Sequence, residues 1–192
     1  IIALKEIADE AVKRAGVVEH VIVVRRTGEK VAMEADRDYY YDELQALPIA
    51  RNFGNNATEV MDAEDPLFML YTSGTTGKPK GIVHTTGGYM VGVTYVARSF
   101  FQIGEHDIYW STSDIGWIVG HSFIVYGPLS VGATVFCREG VPDYPSPDVT
   151  WELVERYGIN VMFTAPTALR MWMSHGGEVP SRYDLSRLRL VA

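Results

Sequence analysis

DPLFMLYTSGTTGKPKGIVHTTGGY occupies residues 65–89, and its centre decides how the chain is read. Five apolar residues, Leu67, Phe68, Met69, Leu70 and Tyr71, follow Asp65-Pro66 and stop abruptly at Thr72-Ser73-Gly74. The run is too short for a helix and is expected to form a buried strand. A second short strand is expected over residues 82–84, so TSGTTGKPKG, residues 72–81, joins two strands through hydroxyls, glycines and two lysines. Gly74 and Gly77 permit torsions that a Cβ would forbid and let backbone N–H groups close around an anion. Thr72, Ser73, Thr75 and Thr76 add uncharged hydroxyl donors. Lys78 and Lys80 offer ammonium groups, and Pro79 restricts the chain between them. The combination suits the phosphate tail of a nucleotide. It is not a Walker A loop, which reads GxxxxGK[ST] and enters a helix; here Thr75 and Thr76 alone separate Gly74 from Gly77, and Pro79 follows Lys78. The plain alternative is a solvated turn, set aside because every position of the segment and the strand ahead of it agree.

Outward from this segment, strands and helices alternate. Towards the N-terminus a helix is expected over residues 2–15, with Gly16 as its stop, then a buried strand over 20–24 and a short helix over 36–47. Residues 48–63 read as irregular surface loop. Downstream come a helix over 86–101, a strand over 107–110, a helix around 121–130, a strand over 133–136, a helix over 146–157, a strand over 161–163 and a helix over 167–174. This alternation predicts an α/β fold with helices packed on sheets. The domain organisation expected is one partial domain over 1–192, with 1–64 closing a first α/β subdomain and 65–192 holding the phosphate loop and a second one. The start at Ile1-Ile2 without methionine and the apolar finish at Leu190-Val191-Ala192 suggest a piece cut from a longer protein.

The 192 residues are 47% hydrophobic and 21% charged, enough to bury a sizeable core, which argues against disorder. The formal charge of -7 argues against broad binding of nucleic acid, which needs a positive face. No apolar run reaches the ~18 residues of a membrane helix. The single cysteine, Cys137, excludes an internal disulfide and a thiolate metal cluster, and fits a reducing cytoplasm. No metal-ligating constellation is visible. Cys137 reads as an ordinary buried thiol, Arg25-Arg26 as a solvated strand end, and His84 and His121 as hydrogen-bonded structural histidines. Tyr39, Tyr40 and Tyr41, Trp110 and the Met171-Trp172-Met173 cluster read as packing.

Residues 65–89 strongly resemble the AMP-forming acyl-CoA synthetases, and within them the acetyl-CoA synthetase branch. The resemblance extends to DIYWSTSDIGWIVGHSFIVYGPLSVGAT (107–134), EGVPDYP (139–145) and FTAPTALR (163–170), with a weaker trace in ADRDYYYDEL (35–44). It implies part of the large N-terminal domain of the adenylate-forming fold, with layered sheets and helices packed on them. It also implies activation of acetate or a similar short acid such as propionate by ATP with magnesium, releasing pyrophosphate, and transfer of the acyl group to coenzyme A.

By resemblance, Thr72, Ser73, Gly74, Thr75, Thr76, Gly77, Lys78 and Lys80 would grip the phosphates, with Lys80 the candidate catalytic residue. Trp117, Ile118 and Val119 would line the acyl pocket, and Val119 and Asp143 would face the acyl or coenzyme path. Acetate-specific members usually carry threonine at the position of Val119 and asparagine at that of Asp143, so this chain departs at both. A valine keeps the volume and removes a hydroxyl, which would favour a slightly longer acid. The family's adenine-contacting segment, ribose-binding acid, coenzyme-binding arginines and mobile C-terminal domain with its lysine lie outside these residues, so the fragment is expected to be inactive alone. Two other readings stand beside this one: adenylation with a carrier protein as acceptor, and a nucleotide-binding module without turnover.

Overall fold

Helices and strands alternate along the computed structural model, which describes residues 3–47, 58–72 and 77–192. The chain divides into two units, Ile1–Val60 and Met61–Ala192. In the first, α1 (Leu4–Ala15) ends at Gly16, whose φ of 65° gives the left-handed cap that the sequence predicts. β1 (Val21–Val23) pairs in parallel with β2 (Asp38–Tyr40), and α2 (Tyr41–Ala46) follows at once. Within the helix expected over 36–47, residues 38–40 are therefore strand and only 41–46 are helix. Tyr39 and Tyr40 suit a strand better than a helix, and Asp38 is fixed in part by Lys5, 33 positions away. The strand expected to be buried is not: Ile22 and Val24 are exposed, because β1 has only β2 beside it among the described residues. Arg25 is more than a solvated strand end. Its guanidinium lies 3.5 Å from the centre of the Tyr40 ring and pairs with Asp42 at 2.5 Å and with Glu43.

Asp38 anchors this unit. Its carboxylate, fully buried, accepts from Lys5 Nζ at 2.7 Å, from Arg37 Nε at 2.5 Å and Nη2 at 2.9 Å, and from the Glu34 backbone N–H at 3.0 Å. The Arg37 hydrogen bonds hold its pKa well below the usual carboxylate range, against the opposing effect of burial. Burial pulls the Lys5 pKa down, but its bonds to Asp38 and Asp9 outweigh that and raise it. A depressed carboxylate pKa stabilises the fold fully above the unfolded value of about 4, and that contribution shrinks as pH falls below it and is lost through the lower folded value. A raised lysine pKa contributes below about 10.4 and is lost in stronger alkali. Asp38→Ala leaves two cations without their shared partner and is expected to cost about 3 kcal/mol, the low end for breaking a buried pair, because Asp9 and Glu34 still neutralise part of the charge. Faster hydrogen exchange over residues 4–46 at neutral pH, with the difference from wild type shrinking below pH 4, checks this.

In the second unit, β3 (Pro66–Thr72) and β4 (Lys80–Thr85) form an antiparallel ribbon in which Tyr71 faces Gly81 and Thr72 faces Lys80. The expectation that β3 is buried fails on one side. Phe68 and Leu70 are partly buried, whereas Leu67, Met69 and Tyr71 point outward with Val83, since a two-stranded ribbon covers only one face here.

α3 (Thr86–Ser99) leads to a parallel sheet in the order β6-β5-β7-β8, formed by β5 (Ile108–Ser111), β6 (Thr134–Phe136), β7 (Val161–Phe163) and β8 (Leu190–Val191). The strand period of two splits the core cleanly. Tyr109 and Val161 face Ala97 and Phe101 on one side, whereas Trp110 and Met162 face Trp151, Val154 and Trp172 on the other. The first face receives helix α4, built from Ile118–Gly120, a π-helical turn His121–Tyr126 and Gly127–Ser130. The second receives α5 (Val149–Tyr157) and α6 (Pro166–Ser174). Both faces are covered, as a parallel sheet requires, and the fold is α/β.

Chain leaving β5 thus turns to one face while chain leaving its neighbour β7 turns to the other. That divergence makes the carboxyl ends of these strands a topological switch point, the usual place for ligands in such sheets. No helix among the described residues is long and apolar enough to cross a membrane.

Candidate active site

Two short side chains meet at this switch point. Thr112 follows β5 and Thr164 follows β7, and their hydroxyls meet at 2.7 Å. The Thr112 N–H donates to the Phe163 carbonyl at 3.0 Å, and the Thr164 N–H to that of Ala192 at 2.8 Å, which locks the strand ends together. From Thr112 the chain runs through Ser113 and Asp114 to Trp117. Asp114 folds this turn, its Oδ1 accepting from the Gly116 N–H at 2.6 Å and its carbonyl from the Trp117 N–H at 3.3 Å.

Trp117 caps the start of α4 and is 70% exposed; Ile118 is exposed and Val119 half-buried. α4 begins at Ile118, a turn earlier than the sequence suggested. Gly120 permits this, because a Cβ there would fall 2.5–2.6 Å from the Ile115 backbone. His121 Nδ1 lies 2.9 Å from the Trp117 carbonyl, so this histidine is hydrogen-bonded as expected, though exposed.

A cavity of about 780 Å³ lies beside the carboxyl ends of β5 and β6, between residues 110–115 and 137–142, with Ile124 at its base. Cys137 is exposed in its wall rather than buried, since it follows the last paired residue of β6. Asp143 comes directly after the lining residue Pro142. The structure thus brings the loop that carries Asp143 against the turn that leads to Trp117. It does not place Trp117, Ile118 or Val119 in the cavity wall, and the described residues of the phosphate loop are not part of it either.

At that loop, Thr72 and Lys80 pair across the ribbon and Gly77 has φ +81°, a conformation suited to glycine. Lys78 and Lys80 are exposed. Ser73, Gly74, Thr75 and Thr76 lie outside the described residues.

An aromatic cluster connects the ribbon to α4. Phe68 of β3 packs against His84 of β4 at 4.8 Å between ring centres and Tyr89 of α3 at 4.9 Å, with His121 of α4 at 6.4 Å. Tyr89 also meets Tyr126 at 5.6 Å and shares a 2.8 Å hydrogen bond with Ser122. Burial raises the Tyr89 pKa, so the phenol stays neutral at that contact. The sequence reading gives Phe68 to a buried strand and His84 and His121 structural roles, and singles out neither Tyr89 nor Tyr126. What it hides is that rings from β3, β4, α3 and α4 converge in one cluster.

Residues 2–192 match the family described as AMP-binding enzyme. Over 190 residues the chain is 50% identical to an acetyl-coenzyme A synthetase of Streptomyces coelicolor, covering 98% of this chain and 29% of that protein. It is 49% identical over 196 residues to that of Pyrobaculum aerophilum, covering 100% of this chain and 28% of that protein. With that of Methylobacterium radiotolerans it shares 53% over 182 residues, 93% of this chain and 27% of that protein. The chain therefore spans less than a third of the length of these relatives. Because the match runs from residue 2 to the last, through ribbon, sheet and cavity alike, the chain belongs to the AMP-binding enzymes.

Proposed function

We propose that this chain is the phosphate-gripping part of an acetate–coenzyme A ligase. In that reaction the carboxylate of acetate, or of a similarly short acid, attacks the α-phosphorus of ATP and releases pyrophosphate. The thiol of coenzyme A then attacks the acyl adenylate and releases AMP. The observation that carries this reading is the half-identity to acetyl-coenzyme A synthetases across 98% of the chain, which includes the ribbon tip with both lysines.

The protein's part is positioning and electrostatics. Two anions must be held in line against mutual repulsion, and charge gathers on the departing pyrophosphate. Lys78 and Lys80, with the hydroxyls and amides of residues 72–77, are the groups that offset it. Trp117, Ile118 and Val119, at the start of α4, wall the acid, and Asp143 stands on the coenzyme side. Magnesium would come with the triphosphate and share the neutralisation; among the described residues no group of three His, Cys, Asp or Glu side chains could hold it. A reducing cytoplasm is the setting that fits these substrates.

An assay of the complete protein with acetate, propionate and butyrate tests the reading, and a strong preference for butyrate or longer acids would sink the small-pocket assignment. Val119→Thr is expected to raise the kcat/KM ratio of acetate over propionate by about tenfold, the scale set by one methylene or hydroxyl in a pocket. An unchanged ratio would remove Val119 from the acid's surroundings.

A further inference from the structure

Residues 138–142 line one side of the cavity and the chain runs on to Pro145; the contacts of three side chains, Arg138, Thr150 and His175, fold or hold this stretch. Arg138 Nη1 donates to the Val141 carbonyl at 2.6 Å, and its Nη2 donates to that of Tyr144. Thr150, fully buried on α5, donates its hydroxyl to the Pro142 carbonyl at 2.6 Å. The third contact crosses to another helix: Asp143 Oδ2 lies 3.7 Å from Nε2 of His175, the residue that ends α6.

His175 stands on a fixed post. Its N–H donates to the Trp172 carbonyl at 3.1 Å, and Trp172 is buried against Trp151 with ring centres 5.2 Å apart. Nε2 of His175 is itself buried and makes no hydrogen bond, a costly state for a polar ring nitrogen. A movement of less than about 1 Å would bring it to bonding distance of the Asp143 carboxylate.

We propose that His175 is a positioning residue: through Asp143 it latches residues 139–142 in place as a cavity wall and so sets the apparent affinity for the thiol substrate. The inference rests on the coenzyme A ligase reading above. It gives a use to the aspartate at a position where acetate-specific members usually carry asparagine. The carboxylate can accept from a neutral imidazole and pair with a charged one.

The test uses the complete protein with His175→Ala, His175→Gln, Asp143→Ala and the double alanine variant. His175→Ala is expected to raise KM for coenzyme A about fivefold while acid-dependent pyrophosphate exchange changes less than about twofold, and His175→Gln, which keeps an N–H donor, is expected to recover most of the loss. The double variant should be no worse than Asp143→Ala, because the histidine acts through the aspartate. A second readout needs no turnover. Cys137 is exposed in the same cavity, and its alkylation by iodoacetamide, followed on the peptide that carries it, should accelerate several-fold in His175→Ala but not in His175→Gln.

Equal losses in both half-reactions, or wild-type KM together with wild-type alkylation in His175→Ala, would overturn the latch. If the wild-type protein forms no acetyl-coenzyme A, the ligase reading fails, and the alkylation comparison still judges the latch.

Discussion

Lys80→Ala is expected to lower acid-dependent ATP–pyrophosphate exchange by about 10²–10³-fold, the cost of removing one preorganised group aimed at developing charge. The reason is geometric. Lys80 is the first residue of β4 and pairs with Thr72 across the ribbon, so its backbone is held on both sides of the turn. Lys78 sits inside the turn, one residue past Gly77, and its replacement should cost less because its backbone is not tied into the ladder. Thioester formation from preformed acetyl adenylate should fall far less than exchange, since pyrophosphate has by then departed. Rapid-quench measurement of the two half-reactions separates them, and equal losses would remove Lys80 from the role.

Gly120→Ala is expected to cost about 1–3 kcal/mol of stability through overpacking. It should also lower kcat/KM for acetate by about 10–100-fold, the scale of a 1 Å misplacement near the chemistry. The added methyl would meet the Cα, carbonyl carbon and oxygen of Ile115 at 2.5–2.6 Å. These are backbone atoms, so α4 must move rather than a side chain. Ile118 and Val119, which precede Gly120 in α4, would move with it, and the turn from Ser111 to Asp114 that lines the cavity would be pushed from beneath. Thermal unfolding together with acetate kinetics checks the pair of effects. A variant with the wild-type Tm and wild-type kinetics would show that the proposed acid wall does not depend on this close approach.

Much of this architecture is readable in the residues themselves. The alternation of short apolar runs with amphipathic stretches places β5, β6 and β7 within one residue, though not the edge strand β8, and Gly16 ends α1 where a stop is expected. The burial of Trp110 follows from its place on a strand covered on both faces. Other features escape because their causes are distant in the chain. β2 is drawn out of the expected helix by parallel pairing with β1 and by the bond from Lys5 to Asp38, 33 positions away. Cys137 looks like a core residue by type, yet it sits just past the end of the ladder, where the wall of a cavity begins.

The candidate site is legible as a set of segments and not as an arrangement. Nothing in the spacing of Asp143 and His175 signals that α6 returns to face the 139–145 loop. Nor does local sequence show that Phe68, His84, Tyr89 and His121 converge. Both contacts depend on how the sheet distributes its helices between its faces, which is decided by the order of the strands.

The outward side of the β3–β4 ribbon bears on how this protein behaves in a test tube. Leu67, Met69, Tyr71 and Val83 make an oily strip on two strands whose outer edges have no neighbour among the described residues. Such a strip invites identical copies to add edge to edge. Concentrated, warm samples of these residues alone would cloud with β-rich precipitate, and lysines in place of Met69 and Val83 would keep the solution clear.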